Sequence, residues 1–255
     1  MAVDMENLEF DPLELTRYAR HLALPGWGEP AQKEIKNASV LVVGLGGLGS
    51  VASLYLAMAG VGRIGLVDQD LLSLSNLQRQ PLYMMGDVDR PKAFLAKKRL
   101  GKINPTIQYQ AYHTRLTSEN AVDLIKEYDV ILDGSDNFST RVLLNETCCE
   151  LNKPYVYGAV SGFDGQVSVF HASQGPCLRC LFPTTAEHRS STSKEHLAVL
   201  NTVPAMIGAV QATQALKQIL GVGGTLLGRL YLFNALDLSW QAVEIPKRKH
   251  CQVCG

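Results

Sequence analysis

The sequence predicts an α/β protein with a Rossmann-like doubly wound mixed sheet: parallel in its N-terminal half, antiparallel in its C-terminal continuation, with a helical N-terminal arm. Three observations predict it. Short β-branched runs alternate with stretches of helical periodicity through the first 150 residues, the pattern of a parallel sheet with crossover helices. The cluster "GLGGLG" stands between the first such run and the first of these helices. After Pro154 two strand-like runs follow each other through a Gly-rich turn with no helix between them.

Taken in order, the chain begins with a helical arm over 1–37. Its opening, "MAVDMENLEF", is acidic and lacks the basic and apolar regions of a signal peptide. From Asn37 to Gly62 no residue is charged, a length that could span a bilayer. The stretch nevertheless reads as a buried strand, "SVLVVG" (39–44), a glycine turn and a helix near 49–59. Strands follow at 63–68, 107–113 and 130–134, with helices near 91–103, 118–128 and 138–152. "PYVYGAV" and "GQVSVFH" then form the antiparallel continuation. Residues 184–196, "TTAEHRSSTSKEH", are polar and read as a loop that could serve as lid or crossover. An apolar helix near 204–220 and a last strand pair in "GRLYLFNALDLSWQAVEI" complete the chain. No repeat or Pro/Ser linker divides it, so 1–255 reads as one domain, with parts at 1–37, 38–153 and 154–255.

Hydrophobic residues make up 46% of the chain and charged ones 19%, enough for a sizeable core. The formal net charge is zero, so no global field draws the protein toward nucleic acid or an anionic membrane. A cytoplasmic location is expected. In a reducing compartment the six cysteines read as metal ligands or thiols rather than disulfides.

The first chemical motif is G-x-G-x-x-G, with Gly44 and Gly46 opening it and Gly47 inside it. Such a loop lets a phosphate approach the backbone N–H groups at a helix N-terminus. Asp68 ends the next strand, where a carboxylate can bind ribose hydroxyls. NAD or FAD would be the default ligand. The polar stretch that follows supplies Asp70, Ser75, Asn76, Gln78 and Arg79, and Lys92 opens a helix. Cations so placed suit a triphosphate whose charge must be offset as it reacts, although Lys92 could equally belong to a basic helix surface. "LDGSDN" (132–137) lies at the carboxyl edge of the fourth strand. Asp133 or Asp136 could meet Mg²⁺ through oxygen, while Asp136 or Asn137 could cap the next helix.

"CLRC" (177–180) and "CQVC" (251–254) form two CxxC pairs. Cys177, Cys180, Cys251 and Cys254 have the donor set of a closed tetrahedral Zn²⁺ site, one that would tie the tail to the body. Cys148 and Cys149 are neighbours in a helix, about 100° apart, so at most one is well buried. Both read as small core residues.

Together "RYARH", "GLGGLG", "LVDQD", "SLSNLQRQ", "PK", "LDGSDN" and the paired CxxC resemble the sulfur-carrier adenylyltransferases, relatives of the ubiquitin-activating enzymes, from about Leu15 to Gly255. The resemblance implies that ATP activates the C-terminal glycine carboxylate of a ubiquitin-like sulfur carrier, of the kind serving molybdopterin or thiamine synthesis. The products would be an acyl-adenylate and pyrophosphate. It implies that Gly47 lies against the nucleotide, that Asp68 binds ribose, and that Asn76, Arg79 and Lys92 hold the phosphates. Asp136 would orient Mg²⁺. Arg20, an ordinary surface arginine from the sequence alone, matches one that family dimers lend to the partner's site, so a homodimer is expected. The 154–255 part is then expected to bind the carrier and the zinc.

The chain departs from the family in one place. Many members carry a cysteine in the loop before the helix that begins "PAMIG", poised to attack the adenylate. The matching position here is near His196, and no cysteine lies between Cys180 and Cys251. The enzyme is expected to stop at the acyl-adenylate and leave the persulfide to a sulfurtransferase, since no rhodanese-like extension supplies it in cis. Three other readings fit less well. A same-fold tRNA-modifying dehydratase would call for a basic face and no paired CxxC. An NAD-dependent oxidoreductase has little use for the Arg/Lys/Asp set. A non-catalytic subunit would lack part of the ATP set.

Overall fold

The computed structural model describes residues 10–183 and 198–255. The predicted loop over 184–196 and His196 lie outside them. Eight strands form one sheet in the order β3-β2-β1-β4-β5-β6-β7-β8. The arm supplies α1 (Pro12–Leu22) and α2 (Gly28–Asn37). The parallel part runs β1 (Ser39–Val43), α3 (Gly47–Ala59), β2 (Arg63–Val67), α4 (Lys92–Ile103), β3 (Gln108–Tyr112), α5 (Ala121–Ile125), β4 (Val130–Asp133) and α6 (Phe138–Glu150). β5 (Tyr155–Ser161) is the last parallel neighbour. β6 (Asp164–Phe170), β7 (Arg229–Asn234) and β8 (Ser239–Glu244) continue antiparallel. The short α7 (Leu178–Leu181) and the long α8 (Thr202–Leu220) complete the described elements.

β1 shows why the sheet is two-sided. All five residues are buried, and successive side chains face opposite ways. Val40 and Val42 join Ile35 of α2, Leu56 of α3, Leu100 of α4 and Ile207 of α8 on one face. Leu41 and Val43 join Ile125 of α5, Leu144 of α6 and Leu178 of α7 on the other. The chain must cross from one face to the other between β3 and β4, because β4 returns beside β1 rather than beyond β3. This reversal opens a crevice at the carboxyl ends of β1 and β4, where doubly wound sheets bind ligands.

The strands and helices fall within a few residues of their predicted places. The main difference is the helix expected at 118–128, which shortens to Ala121–Ile125. Asn120 accounts for its start: its side chain accepts from Thr117 N at 2.9 Å and donates to Arg115 O at 2.9 Å, holding 117–120 in a turn. Among the described residues no helix is long and apolar enough to cross a membrane.

Candidate active site

Gly44 turns the chain at the top of β1 with φ 87°, a conformation in which glycine avoids the Cβ penalty. A Cβ there would come within 2.7 Å of the Gly134 carbonyl, so the loops after β1 and β4 touch backbone to backbone. Gly47 packs against Pro204 of α8, 3.0 Å from where its Cβ would lie, and the Arg79 side chain runs past it at 3.5 Å. Gly46 is open except for the Gln80 amide at 3.6 Å from the corresponding point.

Asp68 braces this loop. One carboxylate oxygen accepts from Leu45 N at 2.7 Å and the other from Asp70 N at 2.7 Å. The side chain is buried, and burial pushes its carboxyl up from 3.8 against the pull of Lys92 and the two N–H donors. Tyr83 adds a hydrogen bond from its hydroxyl to Leu45 O at 2.9 Å. Lys92 is no surface lysine: it is 5% exposed, and its ammonium reaches Asp70 at 3.1 Å.

The polar stretch divides by burial. Ser73 and Asn76 cap a 3-10 turn over Leu74–Asn76, and Ser75 is exposed with its hydroxyl 2.9 Å from that of Ser73. Arg79 folds back to donate to Ser75 O at 3.0 Å. Gln78 is exposed, whereas Gln80, two residues on, is 3% exposed with no partner for its side-chain carbonyl among the described residues. The sequence points to Gln78 and gives no signal for the buried Gln80. A 3-10 turn leaves no periodicity to show which glutamine faces inward.

On the β4 side, Asp133 is fully buried. It accepts from Ser135 N at 2.9 Å, Ser135 Oγ at 2.6 Å and Tyr155 OH at 2.6 Å, and pairs with Arg141 at 3.6 Å. Burial raises its carboxyl despite these partners. Arg141 also donates to Ser135 O at 2.9 Å, and Gln211 of α8 donates to Asp133 O at 2.7 Å. This buried network holds the loop that presents Asp136, which is exposed. Of the two capping candidates, Asn137 caps α6, accepting from Thr140 N at 2.9 Å.

Gly44, Gly46, Gly47, Asp68, Asp70, Arg79 and Lys92 are thus drawn together at the crevice. Arg20 is not. It is exposed on α1, and α1 packs at the far ends of α3 and α4: Arg17 donates to Ile103 O at 2.9 Å, and the Tyr18 hydroxyl accepts from Asn104 at 2.9 Å. The glycine loop and Lys92 lie at the near ends of those helices, about 20 Å away along a 13-residue helix.

The four paired cysteines converge elsewhere. Their sulfurs all lie within 4.8 Å of one another, with Cys177 to Cys251 at 3.6 Å and Cys180 to Cys254 at 3.5 Å. Tetrahedral ligation at a Zn–S distance of about 2.3 Å sets sulfurs roughly 3.8 Å apart, so the donor set fits zinc. Arg248 N donates to Cys180 Sγ at 3.5 Å. Cys148 is buried in the core, as expected, and burial pushes its thiol up. Cys149 is half-buried and packs against the same core cluster, so only one of the two adjacent cysteines is fully buried, as their angular separation on the helix requires.

The family model described as the ThiF family matches residues 18–254. A sulfur carrier protein adenylyltransferase from Thermus thermophilus is 46% identical over 95% of this chain and 91% of its own length. A probable molybdopterin-synthase adenylyltransferase from Porphyra purpurea is 44% identical over 91% of this chain. The match spans only 61% of that longer relative. Among solved structures, E. coli MccB with ATP is similar with a TM-score of 0.84 at 24% identity, covering 94% of this chain and 74% of that one. The likeness extends to the fold.

Proposed function

The chain belongs to the ThiF family, and on that premise we propose that it adenylates the C-terminal glycine carboxylate of a ubiquitin-like sulfur-carrier protein. The observation that carries the reading is the Arg79 side chain running past Gly47 and the buried Lys92 paired with Asp70, next to the Asp68 that braces the glycine loop at the sheet's switch point. Two cations concentrated at one anion-binding turn exceed what a dinucleotide hydride site calls for. They suit a triphosphate.

ATP enters with its phosphates at the Gly44–Gly47 turn and the N-terminus of α3. The adenosine side meets Asp68 and the unpartnered Gln80 carbonyl, an acceptor that fits a ligand with hydroxyl or amino donors. The carrier's terminal carboxylate attacks the α-phosphorus, and the bond to the bridging oxygen of pyrophosphate breaks. Negative charge gathers on the α-phosphate and the leaving group, where Arg79 and Lys92 offset it. Asn76 and Ser75 complete the phosphate contacts. Asp136, a hard oxygen donor exposed at the crevice, is the residue that would hold Mg²⁺, which when bound screens the triphosphate.

Arg20 fits this scheme only as a loan between subunits, since its own helix packs at the other end of the sheet. A homodimer is therefore part of the proposal. So is product release as acyl-adenylate, because no cysteine lies between Cys180 and Cys251 to take the acyl group, and a sulfurtransferase would supply the sulfur. The test is carrier-dependent ATP–pyrophosphate exchange, tried with each candidate carrier ending in Gly-Gly. Exchange should appear with at least one, without a thiol-labile enzyme conjugate. Exchange with none would sink the proposal, and a reducible adduct through any cysteine would remove its last step.

A further inference from the structure

The arm that carries Arg20 is fastened to the two helices that build the nucleotide site, at their opposite ends. α3 and α4 begin at Gly47 and Lys92 and end at Ala59 and Ile103. Tyr18 of α1 is 3% exposed. Its hydroxyl accepts from the side-chain amide of the fully buried Asn104 at 2.9 Å. The same amide nitrogen donates to Ala57 O at 2.8 Å, so Asn104, the C-cap of α4, joins α1 to the last turn of α3. The Tyr18 ring fills the space beside Gly60, where a Cβ would lie 2.6 Å from it. Arg17 adds its bond to Ile103 O, and the buried Glu14 takes the Lys36 ammonium of α2 at 2.7 Å. Glu14 and Tyr18 stand four apart and share a face of α1. Arg20 lies about 160° round the helix from Tyr18 and is exposed. Fixing one face of a helix fixes where the opposite face points.

We infer that Tyr18, held by Asn104, is a positioning residue for the neighbouring subunit's site: it sets the height and rotation of α1 and so aims Arg20 across the interface. The inference deepens the proposed adenylation and rests on its homodimer with Arg20 lent between subunits. Without the Tyr18 anchor, α1 is free to roll on the ends of α3 and α4. A guanidinium displaced by about 1 Å loses most of its value at a developing charge, because reacting geometry is that sharply defined. The chain's own glycine loop and Lys92 are left in place, since they lie at the other ends of α3 and α4. Loss of Tyr18 therefore harms the partner's site and spares its own.

Tyr18→Ala, Arg20→Ala and Arg79→Ala are made in the full chain, checked by circular dichroism and size-exclusion chromatography, and assayed for pyrophosphate exchange with a carrier that supports it in wild type. Tyr18→Ala should lose about 10²-fold in rate. Pairs of variants are then unfolded and refolded in equal mixtures. Tyr18→Ala with Arg79→Ala should recover about a quarter of wild-type exchange, because each mixed dimer joins one sound arm to one sound crevice. Tyr18→Ala with Arg20→Ala should recover nothing, because every site then receives a faulty arm. A merely structural defect, confined to the variant's own site, gives the reverse pattern. That reversal, recovery in neither mixture, or a normal rate for Tyr18→Ala would overturn the inference. If Tyr18→Ala does not fold, Tyr18→Phe, which keeps the ring and loses the hydroxyl bond, must show the same pattern in smaller measure. Failure of Arg20→Ala and Arg79→Ala to rescue each other, or absence of exchange in wild type, would instead overturn the reading on which the inference rests.

Discussion

Asp68 illustrates how a residue can be legible in kind but not in use. Its place after β2 marks a ribose-binding acid, yet both of its oxygens already accept backbone N–H groups and tie two loops together. Its carboxyl is raised above 3.8 by burial, so the folded state holds a proton that the unfolded chain has released. Stability from this group is therefore greatest at low pH and falls as pH rises from about 4 through the folded value. Asp68→Asn should make the fall in melting temperature over that range shallower, as measured by calorimetry at stepped pH, and should weaken nucleotide binding. An unchanged slope would assign the acid range to other groups. Arg79 carries a simpler expectation. Arg79→Ala should abolish pyrophosphate exchange while leaving circular dichroism and oligomeric state unchanged, and normal turnover would place the site elsewhere. Local spacing made the glycines, Arg79, Lys92 and the paired cysteines readable. The burial of Gln80 was not, because it depends on which way one turn faces.

At the scale of elements, the loop after β4 is held from below. Asp133 and Arg141 form a buried pair that also secures Ser135 and Tyr155. Asp133→Ala would leave Arg141 charged without its counter-ion, so chemical denaturation should show a loss of about 3–5 kcal/mol. A loss within experimental error would mean that water reaches the guanidinium. Strand and helix positions were written plainly in the apolar periodicity, since each strand of the parallel part is a short β-branched or aromatic run. The support beneath the loop was not. Tyr155, Arg141 and Gln211 come from three separate elements, and no local pattern announces a contact made through the sheet. The shortened α5 was missed for a related reason: a single Asn120 side chain outweighs the helical pattern around it.

For the whole molecule, the question is whether one chain contains a complete site. Arg20 sits at the end of the sheet away from the crevice, so the contribution proposed for it would have to cross an interface between subunits. Arg20→Ala and Arg79→Ala should each be inactive alone. When unfolded together in equal amounts and refolded, they should recover about a quarter of wild-type exchange, because half the dimers are mixed and each of those rebuilds one good site. No recovery would remove Arg20 from the site or the dimer from the proposal. The sequence foretold the change from parallel to antiparallel pairing after Pro154, because a helix-free connection leaves no room for a crossover. The strand order was not spelled out locally, since β4 inserts beside β1 through contacts distant in the chain.

That distance governs when the crevice can form. Ser39 and Asp129 are hydrogen-bonded at 2.7 Å although 90 positions apart, and the ladder above them, Val40 with Val130 to Val43 with Asp133, ends at the two touching loops. Closing so long a loop costs chain entropy before the paired strands return any of it. The crevice therefore has no local precursor. During refolding, β1 with its glycine turn can form early beside β2, but the opposite wall arrives only when the centre of the sheet zips shut. On the proposed reading the glycine turn, Asp68, Arg79 and Lys92 can come together before β4 arrives, whereas the two-walled crevice that sets Asp136 opposite them is a property of the finished topology.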